Sequence, residues 1–176
     1  MGRPSPAVFY WGQAGMKYEI KARYAAPSKV LMKMFSDKAF YSRKMEALGI
    51  PKHDVLECSK KGGEFRIKIE FKLPIQAPAM IRKFVSADTT VLQEEQWNAA
   101  SKTGSVNVVT HGVPVEMKCL ATCVDDASGC TLTHSWNIVA KIPIVGGALE
   151  KFICADVQSR ADKEQRLIPT LLDQYR

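Results

Sequence analysis

The chain has 176 residues, 46% hydrophobic and 24% charged, with 25 Lys+Arg against 18 Asp+Glu and a net charge of +7. That length suits one domain with a sizeable core, and the composition is that of an ordinary globular protein. No apolar run approaches the roughly 18 residues that span a bilayer. The basic residues are scattered singly through alternating segments, so nucleic-acid binding is not expected.

The opening MGRPSPAVFYWGQAG has one basic residue and an apolar patch only from Ala7 to Trp11. That is shorter than the roughly 7–15 residues of a secretory signal core, so a cytoplasmic protein is expected. The cysteines agree: Cys58, Cys119, Cys123, Cys130 and Cys154 are odd in number and form no CxxC. On a strand, Cys119 and Cys123 would lie about 13 Å apart. A disulfide needs under about 7 Å, so reduced thiols are expected.

MKYEIKARY (16–24) alternates with Met16, Tyr18, Ile20, Ala22 and Tyr24 on one face, the pattern of a strand with one wet side. The period then becomes helical. Val30, Leu31, Met34 and Phe35 make one short helix after Pro27. Phe40, Tyr41, Met45 and Leu48 make a second, with Ser36 as its N-cap and Gly49 and Pro51 as its stop. A strand near 52–60 turns at Lys61-Gly62-Gly63 into EFRIKIEFKL (64–73), where Phe65, Ile67, Ile69, Phe71 and Leu73 share a face. LPIQAPAMIRKFV (73–85) breaks the alternation and reads as one or two helical turns around Met80, Ile81, Phe84 and Val85. Four more strands follow, near 87–98, 103–111, 113–124 and 130–141. From Ala148 to Ile168 the period is helical again, and Pro169 is expected to kink or end that helix.

The order is therefore one strand, two short helices, six strands and one long helix. The predicted fold class is α+β: a seven-stranded, curved antiparallel sheet with the long C-terminal helix packed across it. A helix gripped by such a sheet leaves a hollow between the layers.

This layout resembles the START-like superfamily (SRPBCC, the helix-grip fold). MKYEIKARYAAPSKVLMKMFSDKAFYSRKMEALG looks like its first strand and helix pair. LPIQAPAMIRKFV, TTVLQEEQW and KIPIVGGALEK resemble a bacterial branch catalogued as a domain of unknown function. The likeness covers 16–175, so 1–15 read as an N-terminal extension and 16–176 as a single domain. The resemblance implies an internal apolar cavity and a small lipidic or aromatic ligand, and it brings no catalytic motif.

Tyr18, Ile20, Phe65, Ile67, Ile69, Met117, Cys119, His134, Trp136, Phe152, Asp156 and Val157 are the expected ligand-binding cavity residues. His134, on an apolar strand face, reads either as a polar contact for a ligand head or as a satisfied core histidine. Asp156 and Arg160, spaced i, i+4, read as a pair in the pocket or as a solvated rim. Glu95 shares parity with Val91 and Trp97, so it turns inward. Gly146 and Gly147 are expected at the cavity mouth, where glycine allows close approach and can serve as N-cap. Met80, Ile81 and Phe84 form a lid, a plug, or a foot on membrane, with Arg82 and Lys83 facing lipid phosphates.

No cofactor is expected, and no His/Cys/Asp group has metal-ligand spacing. The expected partners are a hydrophobic small molecule (a fatty acid, sterol-like or polyketide-like lipid) and, transiently, an anionic membrane surface. Carrier or sensor is the leading function. A cyclase or dehydratase using His134 or Asp156 as proton shuttle is the alternative, and an interaction module with a filled core is a third.

Overall fold

The computed structural model describes residues 15–176. In chain order the elements are β1 (Met16–Tyr24), α1 (Ser28–Phe35), α2 (Lys38–Ala47), β2 (His53–Lys61) and β3 (Glu64–Pro74). A 3₁₀ turn (Arg82–Phe84) leads to β4 (Asp88–Asn98), β5 (Thr103–Thr110), β6 (Val115–Asp126) and β7 (Gly129–Ala140). α3 (Gly146–Leu172) and a last 3₁₀ turn (Asp173–Tyr175) close the chain. One antiparallel sheet runs β1-β7-β6-β5-β4-β3-β2. This is the expected α+β architecture, a curved seven-stranded sheet with two short helices after the first strand and a long helix across it.

The alternation read in the sequence decides which side is covered. Ile20, Ala22 and Tyr24 of β1 are buried, while Lys17, Glu19, Lys21 and Arg23 are exposed. α3 packs on β1 and β7 and buries Leu149, Cys154, Val157, Ile168 and Leu172. A tertiary contact fixes the start of α1: Asp125 of β6 accepts from Ser28 N at 2.6 Å and Ser28 Oγ at 2.7 Å. The Lys102 ammonium first, and these bonds second, hold the Asp125 carboxyl down to about 2. All five cysteines are free thiols.

Three local expectations are corrected. Asp37, not Ser36, caps α2, accepting from Ala39 N at 3.0 Å, whereas Ser36 closes α1 by donating to Lys33 O at 3.0 Å. Both residue types cap well, and Asp37 is further held by Tyr175, whose hydroxyl donates to it at 2.6 Å. Pro169 does not end α3, which runs through it to Leu172. Proline so near the end removes only one intrahelical bond, and buried Leu172 and Tyr175 anchor the final turn. Val145 is the N-cap of α3, and Gly146 and Gly147 are its first two residues. Glu150 accepts from the backbone N–H of Ala140 at 2.9 Å, tying α3 to the end of β7.

Candidate functional site

A cavity of about 130 Å³ lies between the sheet, α2 and α3. Its apolar walls are Ile20 and Ala22 of β1, Phe35 of α1, Met45 of α2, Phe71 of β3, Val106 and Val108 of β5, and Met117 of β6. Leu132 and Trp136 of β7, Trp97 of β4, and Val157, Ala161 and Ile168 of α3 add to them. Polar groups enter from four elements: Tyr41 and Lys44 from α2, Gln93 and Glu95 from β4, His134 from β7, and Arg160, Glu164 and Gln165 from α3.

Glu95 is only 8% exposed, and its carboxylate is fully engaged. It accepts from Trp97 Nε1 at 2.9 Å, Tyr41 Oη at 3.1 Å and Gln93 Nε2 at 2.7 Å. Burial of a carboxylate is tolerated when its lone pairs are met in this way. The Tyr41 hydroxyl is held well above its ordinary pKa by burial first and by Glu95 second. Gly104, opposite Trp97 on β5, makes the arrangement sterically feasible, because a Cβ there would lie 2.5 Å from the indole ring.

Lys44 and His134 are less engaged. The Lys44 side chain is 8% exposed, and its nearest carboxylate, Glu164, stands at 3.8 Å, beyond hydrogen-bond distance. Its ammonium lies over the rings of Tyr41 and Phe40, at 5.1 and 5.6 Å from their centroids. His134 makes no hydrogen bond to any described residue. Burial lowers its pKa, with Lys44 acting in the same direction and Glu164 and Glu95 opposing, so the ring is neutral at pH 7.

A smaller hollow of about 40 Å³ adjoins the first and shares Val108, Met117 and Arg160 with it. Its other walls are apolar except for Thr110 and Asp156, and include Leu73, Ile75, Val85, Leu149, Phe152 and Ile153. Asp156 pairs with Arg160 at 2.7 Å, so this ion pair and Met117 divide the two spaces.

The structure therefore distributes the expected cavity residues. Ile20, Met117, His134, Trp136 and Val157 come together on the larger cavity. Phe152 and Asp156 lie on the smaller one, with Met117 common to both. Phe65, Ile67 and Ile69 are in the packed core away from either wall, Phe65 stacked on Trp97 with centroids 6.3 Å apart. Cys119 is also core, its thiol pushed up to about 12 by burial. Tyr18 is outside the cavity and donates its hydroxyl to Gln158 of α3. Sequence reasoning missed Lys44, Tyr41, Gln93 and Glu164.

Gly146 packs so closely on Ala140 that a Cβ would stand 2.9 Å from its carbonyl oxygen, whereas Gly147 faces open space. Of the expected lid, Ile81 is buried with Ala77, Val85, Val113 and Leu149, and Phe84 packs on that cluster. Met80 is exposed, as is Ile144, which holds a left-handed φ of 68° on the loop entering α3. A larger hollow of about 740 Å³ lies on the outer face of the sheet, lined by solvated side chains such as Glu57, Arg66, Lys68, Glu94 and Lys118. It presents no buried, unengaged polar group, and Lys68 and Glu94 pair across it at 2.8 Å. Among the described residues, no three His, Cys, Asp or Glu side chains are grouped to hold a metal, and no helix is long and apolar enough to cross a membrane.

A helix gripped by a curved antiparallel sheet, with a cavity between them, is the START-like architecture. The chain belongs to the family described as "Protein of unknown function (DUF2505)", whose model matches residues 19–172. No curated protein matches the sequence. Among solved structures it is similar to a START superfamily protein from Mycobacterium smegmatis (TM-score 0.58, 11% identity, 93% of this chain and 99% of that one). It is likewise similar to the Zhui aromatase/cyclase from Streptomyces sp. R1128 (TM-score 0.57, 11% identity, 92% and 94%). A third is Ara h 8.0201 (TM-score 0.59, 11% identity, 90% and 98%). At such identities the likeness is one of fold.

Proposed function

We propose that the 16–176 domain binds a small hydrophobic molecule with one polar end in the cavity beneath α3, as a carrier or sensor. The carrying observation is one space in which apolar walls surround the largely buried Lys44 side chain and a neutral imidazole, neither with a hydrogen-bond partner among the described residues. Size narrows the ligand. An engineered apolar cavity of about 150 Å³ takes benzene, so about 130 Å³ suits a single ring. A fatty acid, sterol-like or polyketide-like molecule requires the Met117–Arg160 wall to open into the smaller hollow. Gly146 and Gly147 sit where α3 leaves β7, beside that hollow's Leu149, and the Met80 loop covers the same end.

Native mass spectrometry of freshly purified protein, followed by solvent extraction, tests the reading. A stoichiometric bound molecule is expected, and a clean apo mass contradicts a resident ligand. The second reading is an enzyme of cyclase or dehydratase type in the same cavity. The convergence of Tyr41, Glu95, Lys44 and His134 favours it, with His134 as proton acceptor, because Asp156 is held by Arg160 in the other hollow. A clean apo mass moves weight to that reading. A transient contact with an anionic membrane surface is also proposed, supported by exposed Met80, by Arg82 and Lys83 two and three residues after it, and by exposed Ile144. Sedimentation with phosphatidylserine vesicles, reduced in Met80→Ser/Ile144→Ser, is the check.

A further inference from the structure

Four ionised side chains line the larger cavity, and three have their needs met. Glu95 accepts three hydrogen bonds. Arg160 is paired with Asp156 at 2.7 Å. Glu164 is 31% exposed and reaches solvent. Lys44 is the exception: its side chain is only 8% exposed, and its ammonium stands 3.8 Å from Glu164 and rests otherwise on two aromatic faces. An ammonium carries three donors, and leaving a buried charge without an acceptor is costly. A polar side chain kept in this condition at a cavity wall is matched to something that enters the cavity. His134 adds a second donor. With no partner among the described residues on either ring nitrogen, its neutral imidazole is free to present an N–H to the same space.

Resting on the reading that the cavity binds a small molecule, we infer that its ligand is a single-ring carboxylate whose carboxylate sits on the Lys44 ammonium and whose ring lies among Trp136, Met117 and Val157. The charge-assisted bond replaces the loose contact with Glu164, which turns to solvent. The wall formed by Met117 and the Asp156–Arg160 pair limits the ring end, so chain length is selected against. A long-chain fatty acid brings the same head group but does not fit the space without displacing that wall.

The test is isothermal titration calorimetry of the whole chain with benzoate, its neutral isostere benzamide, and toluene, supported by quenching of Trp97 and Trp136, which line the cavity. Benzoate is expected to bind at least about tenfold more tightly than benzamide, the loss that goes with one charged hydrogen bond. Lys44→Met should remove that preference while leaving toluene binding intact, and Lys44→Arg should retain part of it. Thermal melts of both variants show that the fold survives. Equal binding of benzoate and benzamide, or an unchanged preference in Lys44→Met, overturns the carboxylate inference and leaves the cavity reading standing. Failure of all three probes to bind overturns both.

Discussion

Toward the Met80 loop, the space under α3 is apolar and almost full: Ile81, Val85, Val113 and Leu149 close it, leaving about 40 Å³. Toward α2, the same helix and strands enclose about 130 Å³ and point Lys44, Glu95 and His134 into it. The register of the sheet explains the contrast. Each strand contributes alternate residues to the inner face, and β4 places Gln93, Glu95 and Trp97 at one end but Thr89 and Val91 at the other. One end thus serves mainly for packing, and the other has the composition of a recognition site. Stability and ligand binding should therefore respond to different residues.

The largest separation should come from Leu149→Ala. Removing a fully buried leucine side chain costs about 2–5 kcal/mol, read by urea denaturation, with ligand binding at the α2 end unchanged in the folded protein. A matched loss of binding would mean that the two ends act as one. Glu95→Gln sharpens the other side. The amide nitrogen cannot accept from Trp97, Tyr41 or Gln93, so one donor or more loses its partner, at about 1–3 kcal/mol. Unlike Leu149→Ala, this change should also alter ligand binding, as the cavity floor is rebuilt. At the start of α3 the two glycines should behave oppositely. Gly147→Ala has open space around it and should gain up to about 1 kcal/mol in helix propensity. Gly146→Ala should destabilise, because its methyl meets the Ala140 carbonyl oxygen at 2.9 Å.

The smallest effect is the pH dependence of the α2 end. Burial makes His134 harder to protonate in the folded chain than in the unfolded one. The unfolded state then binds more protons below about pH 6.5, and stability falls as pH drops from there toward the lower folded value. Denaturation midpoints between about pH 7 and 5 should show this slope, and His134→Phe should flatten it. Asp125 acts separately, in more acidic solution. Its contribution is present above the ordinary carboxylate range and lost as pH falls toward about 2.

Periodicity was enough to read the seven strands, their inward faces and the helix across them, because each amphipathic segment reports its own buried side. It could not divide that inner face between cavity and packed core. Ile67, Ile69 and Phe71 share one face of β3, but only Phe71 reaches the cavity, since α1, α2 and the curvature of the sheet cover the rest. The polar site did leave a trace. Lys44 sits at helical spacing within the apolar stripe Phe40, Tyr41, Met45 and Leu48, and Gln93 and Glu95 occupy inward positions of β4. Charged residues placed against their own pattern were the signal, and only Glu95 was noticed. Ser36 against Asp37 was settled by the distant partner Tyr175, which local pattern does not contain, whereas α3 continues through Pro169 to Leu172, which is buried three residues on.

The central claim is that ligand recognition lies at the α2 end of the space beneath α3. The most direct measurement is a ¹H–¹⁵N correlation spectrum of the labelled chain titrated with benzoate. The account predicts shifts concentrated on Ile20, Ala22, Lys44, Trp97, Met117 and His134, with Ile81 and Leu149 nearly still. An unchanged spectrum, or shifts confined to Arg66, Gln96 and Asn107 on the outer face, would contradict it.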